Sequence, residues 1–153
     1  LVIRGKGDLV DELKEKVIAN GVGNRVFFTG MIHEEDMAAI YSYADIFSLI
    51  SEVGDGMGEG IPLTPLEAMA CGTPIIVGNQ DGSREAIFSS LNGYIVDPFD
   101  LDSHVKIFMD LLSNSILLEE KSKNAQKIAS DKFSFESFLE KHKYFFQNRK
   151  LIY

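Results

Sequence analysis

The sequence predicts an α/β fold built on a parallel sheet, and two observations carry this prediction. Apolar positions switch repeatedly between short continuous runs, typical of strands, and the three- and four-residue spacing of amphipathic helices. The strand-like runs are almost continuously apolar, as expected for strands that helices cover on both faces. Strands and helices therefore alternate from the N-terminus onward.

The first half of the chain contains three predicted strands and two helices. The strands lie at residues 1–4, 25–28 and 45–50, and Gly5-Lys6-Gly7 forms the first turn. Asp8 is expected to cap the first helix, which Asn20-Gly21 ends. Its buried face comprises Leu9, Val10, Leu13, Val17 and Ile18. The second helix, at about residues 34–44, turns Met37, Ile40 and Tyr41 inward.

The second half begins with a glycine-rich loop, in which we expect neither a helix nor a strand. Every second residue from Gly54 to Gly60 is glycine. Thr64-Pro65-Leu66-Glu67 then reads as a capping box with Thr64 as the N-cap, and Gly72 closes that helix. Strands follow at residues 74–77 and 94–96, with a short helix at 83–89 between them, and three helices follow from Leu101 on. The first of these three is expected to bury Leu101, Val105, Phe108, Leu111 and Leu112.

This order favours a Rossmann-like parallel sheet with helices on both faces and a helical C-terminal tail. At 153 residues the chain is predicted to be one domain, residues 1–153. Sheets of this kind bind ligands beyond the C-terminal ends of their strands. The loops at residues 5–7, 30–33, 51–63 and 78–82 should therefore line one cleft.

Charge and composition exclude several classes of function. The net charge of −8 disfavours nucleic-acid binding, and no apolar run approaches the roughly 20 residues of a membrane-spanning helix. Cys71 is the only cysteine, which fits a reducing cytoplasm. The chain begins in an apolar run without an initiator Met, so we expect an excerpt of a longer protein, truncated on its N-terminal side.

The glycine-rich loop and the helix after it suit an anionic ligand such as a phosphate. A plain flexible loop ahead of a well-capped helix is the alternative interpretation. Glu59 and Glu67 add carboxylates that would suit a ligand with hydroxyl groups, such as a nucleotide sugar, although Glu67 also fits the capping box. A glycosidase with paired carboxylates is the rival function. No His, Cys or Asp cluster has metal-ligand spacing.

The stretch from Glu59 to Pro74 resembles the family 4 retaining glycosyltransferases, whose signature is Glu, seven residues, Glu, then Ala-Met-Ala-x-Gly-x-Pro. Further matching motifs follow in family order: Gly5-x-Gly7, Val26-x-Phe28-x-Gly30, Tyr41-x-x-Ala44-Asp45, Gly82-x-x-Glu85, Asn92-Gly93 and Asp97-Pro98. The resemblance implies the GT-B fold, which has two Rossmann-like domains. This chain matches the C-terminal, donor-binding domain.

The resemblance also implies roles for individual residues. Glu59 would be the catalytic residue that faces the donor sugar near its anomeric carbon. The backbone of Gly60, Ile61, Pro62, Leu63 and Thr64 would bind the donor sugar and diphosphate. Gly7, Ile32 and Glu67 would bind the nucleoside, with Glu67 on the ribose hydroxyls. Pro62 stands where the family usually has glycine, and Asp81 replaces the first glycine of a common pair.

The function so implied is transfer of a hexosyl group from a nucleotide diphosphosugar to a glycan or a lipid-linked acceptor. No metal or other cofactor is required, because the diphosphate leaving group is held by backbone dipoles. The acceptor would bind a missing N-terminal domain, and the isolated fragment is expected to be inactive. A cytoplasmic location follows, with peripheral contact at the inner membrane face allowed. The alternative is a stand-alone nucleotide-binding or regulatory module without catalysis.

Overall fold

A computed structural model describes residues 1–52 and 60–147, and in them strands and helices alternate in the predicted order. The strands are β1 (Val2–Arg4), β2 (Phe27–Gly30), β3 (Phe47–Leu49), β4 (Ile75–Gly78) and β5 (Gly93–Val96). The α-helices are α1 (Val10–Ala19), α2 (Glu34–Tyr43), α3 (Leu63–Ala70), α4 (Leu101–Ser113), α5 (Ser115–Phe133) and α6 (Phe135–Gln147). A 3₁₀ helix, Gly82–Ala86, stands between β4 and β5, where a short helix was predicted at residues 83–89.

The chain divides into two compact units, Leu1–Met37 and Ala38–Tyr153. The first unit holds a sheet in which β1 pairs with β2, and the second a sheet in the order β3-β4-β5. All three pairings are parallel, which confirms the predicted Rossmann-like α/β class. The described strands therefore form two hydrogen-bonded sheets and not one of five strands, because apolar runs identify strands without specifying which strands pair.

The second sheet carries the core of its unit. Ile75, Ile76 and Val77 of the central strand β4 are fully buried, as predicted for a strand covered on both faces. Strand β5 begins very close to β4, because a Cβ added to Gly93 would lie only 1.9 Å from the carbonyl oxygen of Ile75. Glycine at position 93 thus allows the two backbones to pair.

Strands β1 and β2 are less buried than predicted. Val2 is 54% exposed and Phe27 is 59% exposed. The expectation of full burial was wrong here, because the first unit contains only these two strands and one complete helix. In this unit an apolar run therefore predicts a strand, but it does not predict that helices bury both faces of that strand.

Helix α1 begins one residue later than the predicted cap requires. Leu9 is the N-cap residue and makes no side-chain capping bond, so the prediction that Asp8 caps the helix was wrong. Leu9 and Ile18 are exposed, whereas Val10, Leu13 and Val17 form a half-buried stripe at four-residue and three-residue spacing. The predicted end is confirmed, since Asn20 is the C-cap and Gly21 adopts φ +65°.

Helix α4 buries a narrower face than predicted. Leu111 is fully buried with Ile76 and Val96, and Phe108 packs partly buried against this cluster. The remaining members of the predicted face are more than half exposed: Leu101, Val105 and Leu112. The sequence offers apolar residues on two adjoining stripes of this helix, and packing against the sheet selects one of them.

Candidate functional site

The loops that follow paired strands meet at one edge within each unit. In the first unit the Gly5 N–H donates to the Gly30 carbonyl at 3.0 Å, which joins the loops after β1 and β2. In the second unit a Cβ on Gly78, at the end of β4, would lie 3.2 Å from the carbonyl oxygen of Ser51. Each unit thus brings its candidate loops to the carboxyl edge of its strands, where parallel sheets bind ligands.

Helix α3 presents backbone donors at this edge of the second sheet. Pro62 is its N-cap, with φ −65° and ψ 143°, and it forms no side-chain capping bond. The first N–H groups of a helix have no intrahelical acceptor. In α3 they belong to Leu63 and Thr64, because Pro65 has no N–H. Leu63 is 68% exposed and Thr64 is half-buried, and N–H donors at the N-terminus of a helix can bind an anion.

The predicted capping box is not formed. The helix begins at Leu63, so Thr64 is a helical residue, and Glu67 lies at the fifth helical position, too far along to reach the N-cap amide. The Tyr41 hydroxyl instead donates to Glu67 Oε2 at 2.9 Å. Glu67 is exposed, and its Oε1 atom accepts no hydrogen bond from the part of the chain that the structure describes. The carboxylate is therefore fixed through one oxygen and presents the other.

The segment just before α3 is held by the 3₁₀ helix. A Cβ on Gly82 would lie 2.3 Å from the Gly60 carbonyl oxygen, so this position has no room for a side chain. Asp81 Oδ1 accepts the Ser83 N–H at 2.9 Å and caps the 3₁₀ helix. Gly82 and Asp81 therefore fix the backbone beside the α3 donors, a role that the sequence signalled only through the Gly82-x-x-Glu85 motif.

Two of the predicted nucleoside-binding residues lie in the first unit. Gly7 is exposed in the turn between β1 and α1, where its carbonyl accepts the Val10 N–H at 3.2 Å. Ile32 is half-buried between β2 and α2. Both lie in loops at the carboxyl edge of the first sheet, as predicted. Their roles in binding stay predictions.

Glu59 and the glycine-rich stretch before it lie outside the described residues, so the catalytic role of Glu59 also stays a prediction. Among residues 1–52 and 60–147, no group of three His, Cys, Asp or Glu side chains could hold a metal ion. Arg84, on the 3₁₀ helix that contacts Gly60, is exposed and forms no ion pair with any described residue. The described charges near α3 thus include one available cation.

The chain matches a family model over most of its length. The family described as "Glycosyl transferases group 1" matches residues 1–128. A curated relative, the GDP-mannose-dependent alpha-(1-6)-phosphatidylinositol monomannoside mannosyltransferase of Mycolicibacterium smegmatis, is 33% identical over 116 residues. That alignment covers 74% of this chain and 30% of the relative, so the chain spans about a third of the relative's length.

Two solved structures share the fold. HepE of Anabaena, solved in complex with UDP, superposes with a TM-score of 0.85 over 97% of this chain and 40% of that one, at 22% identity. The C-terminal domain of the glycosyl transferase group 1 family protein LpcC from Francisella tularensis gives a TM-score of 0.73 at 27% identity. The superposition with LpcC covers 84% of this chain and 64% of the LpcC chain.

In residues 1–52 and 60–147, every helix is too short or too polar to cross a bilayer.

Proposed function

Because the chain belongs to the glycosyl transferases group 1, we propose that it is the donor-binding domain of a retaining, family 4 glycosyltransferase. The enzyme transfers a hexosyl group from a nucleotide diphosphosugar to a glycan or a lipid-linked acceptor. This proposal adds the donor, the acceptor class and the stereochemical course to the family membership.

The observation that carries the proposal is the pairing of two kinds of binding group on α3. The first turn offers the N–H groups of Leu63 and Thr64, and the exposed residue Glu67 offers its carboxylate. Backbone donors at a helix N-terminus suit a phosphate. A carboxylate suits hydroxyl groups, which donate to it. A nucleotide diphosphosugar contains both kinds of group, whereas an inorganic phosphate or a simple sugar contains only one.

The Mycolicibacterium smegmatis relative supports a nucleotide sugar as the donor. The name of the Mycolicibacterium smegmatis relative states a GDP-mannose dependence, and the HepE structure contains UDP. HepE supports the fold alone at its level of identity, and the two nucleotides differ in their base. The proposal therefore specifies a nucleoside diphosphate and leaves the base to experiment.

The proposed mechanism assigns one role to each group. Glu59 faces the donor sugar near its anomeric carbon and stabilises the positive charge that develops there. Donors from Gly60, Ile61, Leu63 and Thr64 bind the sugar and the diphosphate as the glycosidic bond breaks and negative charge forms on the leaving group. Pro62 contributes no N–H. Ile32 and Gly7 contact the nucleoside, and Glu67 binds its ribose hydroxyls.

The remaining parts of the proposal concern the whole protein. The acceptor site belongs to a second Rossmann-like domain of a GT-B enzyme, since this chain spans 30% of the Mycolicibacterium smegmatis relative. Residues 1–153 alone are expected to transfer no sugar. The chemistry needs no metal ion, because helix and backbone dipoles stabilise the leaving group. We propose a cytoplasmic location, with peripheral contact at the inner membrane face where the acceptor is a lipid.

Sugar transfer by the full-length protein tests the proposal. UDP-, GDP- and ADP-hexoses are supplied with glycan and lipid-linked acceptors, and the anomeric configuration of the product is read by NMR. We expect one donor to be used with retention, and Glu59→Ala to lower kcat by at least about 100-fold. Glu120→Ala on α5, an exposed carboxylate far along the sequence, is the matched control. A protein that binds nucleotide but transfers no sugar would instead be a regulatory module.

A further inference from the structure

Tyr41 is a buried residue near the end of α2 whose hydroxyl is directed at the candidate site. Its side chain is only 4% exposed, and its hydroxyl donates to Glu67 Oε2 at 2.9 Å. A buried phenol requires a hydrogen-bond partner. Here the partner is an exposed carboxylate 26 residues away, so the bond connects the interior of the unit to a surface group.

The position of Tyr41 is set by the ends of two other elements. The Thr73 hydroxyl, 2% exposed, donates to the Tyr41 carbonyl at 2.6 Å, and the Thr73 N–H donates to the Ala68 carbonyl near the end of α3 at 2.9 Å. The Tyr41 ring packs edge-on against Phe47 of β3, with 5.6 Å between ring centroids. Backbone and ring are thus both fixed, so the hydroxyl has a defined position relative to α3.

The hydroxyl therefore restrains the Glu67 carboxylate. Glutamate has three rotatable side-chain bonds, and on an exposed helix face it would sample several rotamers. The bond to Oε2 selects one orientation, and each carboxylate oxygen retains lone pairs for further donors. A fixed, charged carboxylate suits bidentate binding of two neighbouring hydroxyl groups.

We propose that Tyr41 is a positioning residue that orients Glu67 toward the two ribose hydroxyls of the donor nucleotide. It thereby determines the preference for ribonucleotides over 2′-deoxyribonucleotides. This inference rests on the proposed function, because it requires Glu67 to bind ribose. It adds a residue outside the signature and assigns it a selectivity.

The test compares nucleotides in the full-length protein. Calorimetric titration with UDP, GDP and ADP identifies the base that binds, and the matching 2′-deoxynucleoside diphosphate is then titrated. In Tyr41→Phe we expect affinity for the ribonucleotide to fall about tenfold, as for loss of one charge-assisted bond. Affinity for the deoxy form should change less than about twofold. The donor KM rises and kcat stays unchanged.

Tyr43→Phe is the matched control, because Tyr43 lies on the same helix and is 90% exposed. It should keep the full preference for the ribonucleotide. In Glu67→Ala the preference should be lost, and adding Tyr41→Phe to Glu67→Ala should not change the ribonucleotide preference further, because Tyr41 acts on the ribose through Glu67. If Tyr41→Phe does not fold, Thr73→Val, which removes only the anchor on the Tyr41 carbonyl, should show a smaller loss of the same preference.

The outcomes separate the inference from the function on which it rests. The inference is overturned if Glu67→Ala loses the preference for the ribonucleotide and Tyr41→Phe keeps it. If Tyr41→Phe does not fold, Thr73→Val takes its place in this comparison. Equal weakening of both nucleotides in Tyr41→Phe means a structural role and also overturns it. Failure of the wild-type protein to bind any nucleoside diphosphate, or unchanged binding in Glu67→Ala, contradicts the proposed function itself.

Discussion

Gly82 packs directly against Gly60, so that a Cβ at position 82 would stand 2.3 Å from the Gly60 carbonyl oxygen. This contact connects the 3₁₀ helix after β4 to the segment that precedes the donors of α3. The backbone at Gly60 is therefore fixed by a neighbour that is absent from the Glu59–Pro74 signature. A change at position 82 should therefore also affect the proposed nucleotide site.

Gly82→Ala should displace Gly60 and weaken nucleotide binding, because backbone cannot yield as a flexible side chain does. We expect a stability loss of about 1–3 kcal/mol, typical of overpacking, together with a higher donor Kd. Urea unfolding and calorimetric titration measure the two effects. Gly23→Ala is the control, because a Cβ there meets no atom within 4 Å. Wild-type stability and affinity in Gly82→Ala would disprove the close contact.

Lys121 should stabilise the fold without contributing to binding. Its side chain is 6% exposed, its Nζ donates to the Ser90 carbonyl at 2.6 Å, and it lies 4.3 Å from the centre of the Tyr94 ring. Ser90 adopts φ +57°, so this bond holds a turn that L-residues rarely form. Lys121→Met should lower the free energy of unfolding by about 1–3 kcal/mol. Nucleotide affinity should not change.

The comparison for Lys121 is Lys123→Met on the same helix, whose side chain is 73% exposed and pairs with Glu119. Exposed pairs contribute about 0–1 kcal/mol, so this variant should unfold nearly as the wild type does. Equal unfolding free energies for the two variants would show that the buried ammonium is not a structural group.

Asn92 should tolerate no charge. It is fully buried, its Oδ1 accepts the Phe88 N–H at 2.9 Å, and its Nδ2 donates to the Ala86 carbonyl at 2.7 Å. Asn92→Asp removes the donor and places a carboxylate against a carbonyl, which we expect to cost about 3–5 kcal/mol at neutral pH. Asn24→Asp, at an exposed position, is the control.

The cost of Asn92→Asp should depend on pH with a defined sign. Burial raises the pKa of the introduced acid in the folded state above its value in the unfolded chain. Between these two pKa values the folded state binds more protons, so the variant recovers stability as the pH falls below the raised pKa toward the pKa of the unfolded chain. Stability that is independent of pH relative to the wild type would contradict the buried position of residue 92.

The sequence predicted the order of the elements because periodicity is a local property. The run at 75–77 has the pattern of a doubly covered strand, and β4 is one. The capping box failed for a local reason as well, since the N-cap is Pro62, two residues ahead of Thr64, which the box required as the N-cap. Because of that shift Glu67 does not cap the helix, and its carboxylate accepts a hydrogen bond from the Tyr41 hydroxyl instead.

Contacts between residues far apart in the chain could not be predicted from the sequence. Tyr41 was expected to point inward, but nothing in the spacing paired it with Glu67, which lies 26 residues further on. The contact between Gly82 and Gly60 and the division of the strands into two sheets also depend on residues that are far apart in the chain. Motifs identify residues that belong to a site, whereas packing decides which neighbours orient them.

The most direct test of the central claim is nucleotide binding by the full-length protein with and without Glu67. Calorimetric titration with the preferred nucleoside diphosphate should give saturable binding to the wild type and to Glu120→Ala. In Glu67→Ala the Kd should rise at least about tenfold, because the ribose hydroxyls lose a charged acceptor. Equal affinity of Glu67→Ala and the wild type would contradict the claim that α3 binds the donor nucleotide.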